Sequence, residues 1–285
     1  MEENIITSVQ NARIKHVVAL QQKSSLRREE GLFVVEGQRE IEHCITCGYE
    51  VVEVFLRSQE SGVRSQETGV RRLENIPTAT LVTPLVYEKM AYRGSTEGII
   101  AVAKCKAHSL ESLLQTPDSC LPTPDPSPLI VVLESVEKPG NLGAILRTAE
   151  AAQVDAVIVC DPLTDLYNPN LIRASIGGVF CVPTAVCSSK ECITFLKAHK
   201  IRILTAQLQD SYDYYDYDMR HATAIVMGTE STGLSQQWRE AADAHIRIPM
   251  LGRLDSLNVS VSAAILMYEA VRQRNKVYQH PDARI

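Results

Sequence analysis

The chain has 285 residues, 45% of them hydrophobic and 22% charged, a composition that suits a globular protein with a sizeable core and excludes a disordered or fibrous one. A net charge of −5 gives no global field to draw in a polyanion, and no apolar run approaches the ~18 residues that a membrane span needs. The opening MEENIITSVQN is polar and acidic, unlike an export signal, so the eight cysteines are expected to be reduced thiols of a cytoplasmic protein.

The charge is uneven along the chain. Residues 1–106 carry 14 basic and 14 acidic side chains, and the remainder carries 15 and 20, so the N-terminal part is the better suited to face a polyanion. Ile14, Val17, Val18 and Leu20 recur at helical spacing among Arg13, Lys15 and Lys23, and the stretch from Lys23 to Arg28 reads as a basic turn. Residues 31–37 read as a strand ending at glycine, 39–47 as a helix and 51–56 as a second strand. Cys44-x-x-Cys47 follows His43 in that helix; with no second Cys-x-x-Cys to complete a zinc site, core packing is the expected role, and no metal is expected. Arg57-SQESG-Val63 is followed at once by Arg64-SQETG-Val70. Two short copies cannot form a solenoid, so the duplication reads as an expanded surface loop. Residues 80–85 and 98–103 are further short strands.

Composition then changes. Residues 108–128 contain Pro117, Pro122, Pro124, Pro126 and Pro128 among Ser, Thr and Asp, the character of a semi-rigid linker. The expected organisation is a smaller α/β domain over 1–106, a linker over 107–128 and a second domain over 129–285.

The second domain alternates. Strands are expected at 129–133, 156–160, 181–186, 201–206, 222–227 and 245–250, with helices at 143–153, 170–180, 189–200, 234–242 and from Val259 onward. Such alternation indicates a parallel sheet covered on both faces. The acidic, aromatic run from Tyr212 to Asp218, YDYYDYD, reads as a surface or interface loop, since its carboxylates would repel phosphate.

Three strand ends carry unusual polar loops. One runs Glu137-Lys-Pro-Gly-Asn141-Leu-Gly143 with Arg147 a helical turn later; a second is Gly228-Thr-Glu230-Ser-Thr-Gly233-Leu234. The third runs from Ile248 through Pro249-Met250, Gly252 and Asp255-Ser256-Leu257-Asn258. In a parallel sheet all three would lie along the carboxyl edge, where open α/β sheets bind ligands. Each has an ordinary reading: Asn141 and Asn258 as helix caps, Glu230 as favouring the start of the next helix. The glycines at 228 and 233 lack the spacing of a dinucleotide loop and the lysine of a phosphate loop, so nothing points to NAD or ATP.

Asn141-Leu-Gly-x-Ile-x-Arg147, Gly228-x-Glu230-x-x-Gly233-Leu234 and Ile248-Pro-Met-x-Gly-x-x-x-Ser256-Leu-Asn258-Val resemble the three signature motifs of the SpoU (TrmH) family. These are S-adenosylmethionine-dependent RNA ribose 2′-O-methyltransferases of the SPOUT class, and the resemblance covers about residues 129–275. The N-terminal part is similar to that family's L30e-like substrate-binding domain through Ser8-x-x-Asn11-x-x-Ile14-Lys15, Phe33-x-x-Glu36-Gly37 and Arg93-Gly-Ser-x-Glu-Gly98; the duplicated loop departs from it.

The resemblance implies a trefoil-knotted C-terminal α/β domain and a homodimer formed through it. It implies S-adenosylmethionine held by Thr205, Ala206, Gly228, Ile248, Met250 and Leu257, and a catalytic set of Asn141, Arg147, Glu230, Ser256 and Asn258. RNA would first meet Arg13, Lys15, Lys23, Arg27, Arg28, Arg39 and Arg93, with Arg173 on the second domain. The substrate implied is 23S ribosomal RNA; transfer RNA, or RNA binding without catalysis, is the alternative. Arg147 is often assigned as the base in such enzymes, but a guanidinium is always charged. Holding a phosphate and stabilising the developing alkoxide suits it better.

Overall fold

A computed structural model describes residues 5–58, 79–92, 97–114, 127–229 and 231–274. Arg93, Glu230, most of the duplicated stretch and most of the proline-rich stretch lie outside these residues. The chain divides into two compact units. One joins the described residues up to Ala107 with Lys138–Arg147 and Thr164–Cys181; the other joins His108–Glu137, Thr148–Leu163 and the described residues from Val182 onward.

In the first unit, α1 (Ala12–Gln22) buries Ile14, Val17 and Leu20 completely, the stripe that the sequence spacing predicts. Its N-terminus is capped by Asn11, whose side-chain oxygen accepts from the Arg13 N–H at 2.9 Å. The expected basic turn is instead a second helix, α2 (Ser24–Glu30), ended by Gly31 at φ +64°. The strands β1 (Leu32–Glu36), β2 (Val51–Arg57), β3 (Thr80–Val82) and β4 (Ile99–Lys104) form a sheet in the order β1-β4-β2-β3. β4 runs antiparallel to β1 and β2, and β3 runs parallel to β2. The helix α3 (Gln38–Thr46) follows β1. The strand expected over 80–85 is cut short at Val82, because Pro84 opens the helix α4 (Pro84–Met90) and Val86, Tyr87 and Met90 are buried at helical spacing. Phe55, Val82, Val86, Ile100 and Val102 complete this core.

The segment 164–181 packs within the same unit. Phe33 stacks on Tyr167 with ring centroids 4.3 Å apart and on Phe180 at 5.6 Å. The single helix expected over 170–180 is two, α6 (Pro169–Ser175) and α7 (Gly178–Cys181). The break is the left-handed pair Ile176 (φ +50°) and Gly177 (φ +80°), where a Cβ on Gly177 would lie 3.0 Å from His43 Cβ.

The second unit is built on seven parallel strands: β5 (Leu129–Glu134), β6 (Ala156–Cys160), β7 (Thr184–Cys187), β8 (Arg202–Ala206), β9 (Tyr212–Asp213), β10 (Thr223–Met227) and β11 (Ala244–Arg247). Their order across the sheet is β7-β6-β5-β10-β8-β11-β9. β5, β6 and β10 are buried along their whole length, which is why their sequences are continuous apolar runs rather than alternating ones. The YDYYDYD run is not wholly a loop: Tyr212 and Asp213 add an edge strand beside β11, tied by Arg247 Nε to Asp213 Oδ1 at 2.8 Å. β11 is shorter than the strand expected over 245–250, and Pro249 beyond it has no N–H to extend the ladder. Helices α8 (Ser189–Ala198), α9 (Gln236–Ala241) and α10 (Val259–Gln273) belong to this unit. α8 opens on a capping box between Ser188 and Glu191. α5 (Pro139–Ala151) gives its residues through Arg147 to the first unit and the rest to the second.

Candidate active site

The three polar loops leave strands that run parallel in one sheet, so the segments beginning at Ser135, Gly228 and Ile248 start from its carboxyl edge, together with Gln207 after β8. β5, β10, β8 and β11 are successive neighbours, so the loops after β5 and β10 leave adjacent strands and only β8 stands between β10 and β11.

The first loop turns at Ser135, held at φ +52° by its N–H bond to the Cys160 carbonyl at 2.9 Å. α5 then begins at Pro139, earlier than the sequence suggests, so Asn141 lies inside the first helical turn and is not its cap. Its backbone N–H donates to the Lys138 carbonyl at 3.0 Å. Gly143 is where α5 meets α6: a Cβ there would sit 2.6 Å from the Leu171 carbonyl oxygen and 2.7 Å from Ala174 Cβ. A Cβ on Gly178 would lie 3.2 Å from Arg147 Cα. Close contacts therefore fix the backbone that carries Arg147, while its side chain is exposed.

The second loop folds tightly on itself. A Cβ on Gly228 would fall 2.3 Å from the Gly233 carbonyl carbon, so only glycine fits. Thr229 Oγ1 accepts from the Thr232 N–H at 3.0 Å, and Gly233 stands at φ +68°. Below it lies a polar cluster absent from the sequence reading. Glu134 is 6% exposed, and its Oε2 accepts from the Ser235 N–H at 2.8 Å. Ser189 Oγ donates to Asp161 Oδ2 at 2.6 Å and accepts from Trp238 Nε1–H at 3.0 Å. The signal for Glu134 was a lone carboxylate closing an otherwise apolar strand, since a buried charge needs partners.

The third loop is exposed from Leu251 to Asn258, with Leu251 98% and Leu254 75% accessible. Ser256 Oγ donates to Asp255 Oδ1 at 3.3 Å, and Asn258 caps α10, its Oδ1 accepting from the Ser260 N–H at 3.0 Å. Ile248 and Met250 are half-buried and Leu257 is exposed. Thr205 is fully buried, its hydroxyl 2.6 Å from His245 Nδ1, so its side chain is already engaged; Ala206, at the end of β8, is half-buried.

The basic residues separate into different roles. Lys15, Lys23, Arg28, Arg39 and Arg173 are exposed. Arg13 is exposed but engaged, with Nη2 donating to Thr80 Oγ1 at 2.7 Å and the guanidinium paired with Glu53. Arg27 departs from the expected RNA contact: it is 3% exposed and bonded to Asp165 and to the Leu20 and Gln21 carbonyls, so it braces the first unit. Cys44 is buried, which with Cys47 beside it pushes the thiol up to about 12, consistent with a packing role rather than a reactive one.

The SpoU rRNA Methylase family pattern matches residues 128–268, and the MRM3-like substrate binding domain pattern matches residues 11–101. The chain is 36% identical over 179 residues to the 23S rRNA (guanosine-2′-O-)-methyltransferase RlmB of Bordetella pertussis, covering 62% of this chain and 71% of that one. It is similar to a crystal structure of an RNA 2′-O ribose methyltransferase at 38% identity and a TM-score of 0.77, over 95% of this chain and 99% of the other. It is also similar to the SpoU methyltransferase AviRb of Streptomyces viridochromogenes in complex with AdoMet, at 26% identity and a TM-score of 0.81, over 94% and 100%.

Proposed function

The chain belongs to the SpoU rRNA methylase family, and from that premise we propose that it transfers a methyl group from S-adenosylmethionine to a ribose 2′-hydroxyl of 23S ribosomal RNA. The observation that carries the reading is the convergence on one sheet edge of a glycine-tightened loop, Gly228–Gly233, and an exposed Ser256-Leu-Asn258 loop.

The residues present fit the cofactor. Gly228-Thr-Glu-Ser-Thr-Gly-Leu offers glycine and hydroxyls but no lysine or arginine, which suits a nucleoside rather than a polyphosphate. Exposed Leu251, Leu254 and Leu257 offer apolar surface for a purine. Gly228, Ile248, Met250 and Leu257 would hold the cofactor with the backbone at Thr205-Ala206, and it supplies a methyl group on a positively charged sulfur.

Positioning accounts for much of the rate, because the reaction needs the 2′-oxygen in line with that methyl group. Ser256 and Asn258 orient the ribose. Arg147, exposed and permanently charged, holds a neighbouring phosphate and stabilises the oxygen as it loses its proton. Asn141, in the first turn of the helix that carries Arg147, helps to form the site, and Glu230 fixes a cation in it. RNA is met first by Lys15, Lys23, Arg28 and Arg39, with Arg13, Arg93 and Arg173 adding charge. The C-terminal segment threads a trefoil knot, in keeping with the non-sequential strand order, and the exposed apolar residues Leu254, Leu257, Val261 and Tyr268 favour a homodimer through this part of the chain. The protein works in the cytoplasm; among the described residues no helix is long and apolar enough to cross a membrane.

The test is methyl transfer from labelled S-adenosylmethionine to total RNA from cells lacking the protein, followed by mapping of 2′-O-methyl sites. Label in a ribosomal fragment, on ribose, is expected. Label confined to transfer RNA or to a base would overturn the assignment.

A further inference from the structure

Three cysteines, Cys160 and the nearby pair Cys187 and Cys192, meet in the second unit. Cys160 closes β6, Cys187 closes β7, and the two are register partners across the parallel pair. Cys192 lies in the first turn of α8. Their three sulfur atoms all lie within 4.8 Å of one another. Cys160 and Cys192 are fully buried, and Cys187 is half-buried, giving the cluster one side open to solvent.

Around them the packing is apolar: Ala185, Phe195, Leu196 and Ile158 belong to the same core cluster. Ordinary packing of free cysteines asks for no such convergence. A metal bound to sulfur at about 2.3 Å in a tetrahedral arrangement needs sulfurs about 4 Å apart. The three sulfurs, all within 4.8 Å of one another, stand close to that spacing. A ligand set of sulfur alone selects soft ions and disfavours magnesium, calcium and manganese, which take oxygen.

We propose that Cys160, Cys187 and Cys192 form a binding site for a thiophilic divalent ion of the zinc and cadmium class, with solvent on the Cys187 side as the fourth ligand. Each thiol gives up its proton to solvent as its sulfur–metal bond forms, so binding releases up to three protons per ion. The bound ion would tie β7, at one end of the sheet, to β6 and to the start of α8.

The probe is cadmium, added to the full-length, fully reduced protein and read by the ultraviolet charge-transfer band of cadmium–thiolate bonds. One equivalent per chain is expected to bind. Cys187→Ser should weaken binding by at least about tenfold, the smallest loss typical even of a supporting partner of a ligand. Cys47→Ser, at the separate pair where Cys47 Sγ lies 3.2 Å from Cys181 Sγ, should change nothing. A second measurement holds even if the serine variant folds poorly: in the wild-type protein, saturating cadmium should protect Cys187 from alkylation, read by peptide mass. The site does not exist if the wild type shows no band, if Cys187→Ser binds as well, if only Cys47→Ser loses binding, or if Cys187 stays fully reactive.

Discussion

Arg27 Nε donates to Asp165 Oδ2 at 2.7 Å, joining α2 to the segment before α6 across 138 residues of chain. The guanidinium is almost wholly covered, at 3% exposure, and the carboxylate largely so, at 16%. Removing one partner of such a pair strands a buried charge. Asp165→Ala should therefore cost about 3–5 kcal/mol in urea unfolding. A loss below about 1 kcal/mol, the ceiling for a surface pair, would mean that Arg27 reaches water.

Its sequence neighbour should behave in the opposite way. Arg28 is exposed, and Arg28→Ala should leave stability within about 0.5 kcal/mol of wild type. It should lower RNA affinity, and the slope of log affinity against log salt should shrink by about one. An unchanged slope would remove Arg28 from the RNA-facing set.

Gly228→Ala forces a Cβ to within 2.3 Å of the Gly233 backbone, which has no flexible end to yield. A cost of about 1–3 kcal/mol is expected, with weaker S-adenosylmethionine binding by calorimetry. Gly252→Ala is the control: a Cβ added there would meet nothing within 4 Å, and stability should stay within about 0.5 kcal/mol.

Asn258 has two roles that substitutions can separate. Asn258→Ala removes the cap on α10 and should cost about 1 kcal/mol. Asn258→Asp keeps an oxygen for the Ser260 N–H but loses the amide donor. It should hold stability while lowering single-turnover methyl transfer by about a hundredfold, the scale of a lost site donor. Full activity in Asn258→Asp would reduce Asn258 to a cap.

Glu269 is 9% exposed, and hydrogen bonds from Arg272, then from Gln273, hold its carboxyl below the usual range despite burial. Its folded pKa is depressed, so the stability it contributes is fully present above the unfolded value of about 4.3 and is lost as pH falls through the lower folded value. Urea midpoints followed downward from pH 6 should fall less steeply in Glu269→Gln than in wild type. Parallel curves would show that the pair contributes nothing.

Much of this was legible in the sequence, for definite reasons. The alternation of strands with helices beyond residue 129 indicated a parallel sheet, and β5, β6 and β10 are indeed buried along their whole length, as strands covered on both faces must be. That alternation alone sufficed to place the loops on its carboxyl edge. What failed was decided by distant parts of the chain. The division of 170–180 into α6 and α7 turns on Gly177 lying against His43. Arg27 is indistinguishable in sequence from its exposed neighbours, and only Asp165, far along the chain, covers it. Tyr212 and Asp213 became a strand only because β11 offered an open edge. Asn141 stands inside α5 because Pro139 starts the helix early.

Trp238 is the only tryptophan in the chain, fully buried in the second unit with its indole N–H on Ser189 Oγ. Selective excitation of indole fluorescence therefore watches the seven-stranded unit alone, whereas far-ultraviolet circular dichroism sums both units. If the two optical transitions in denaturant coincide, the chain unfolds as one cooperative body; if they separate, the order of their midpoints identifies the weaker unit. The protein thus carries its own site-specific dye, and no label need be attached to compare the stabilities of its two halves.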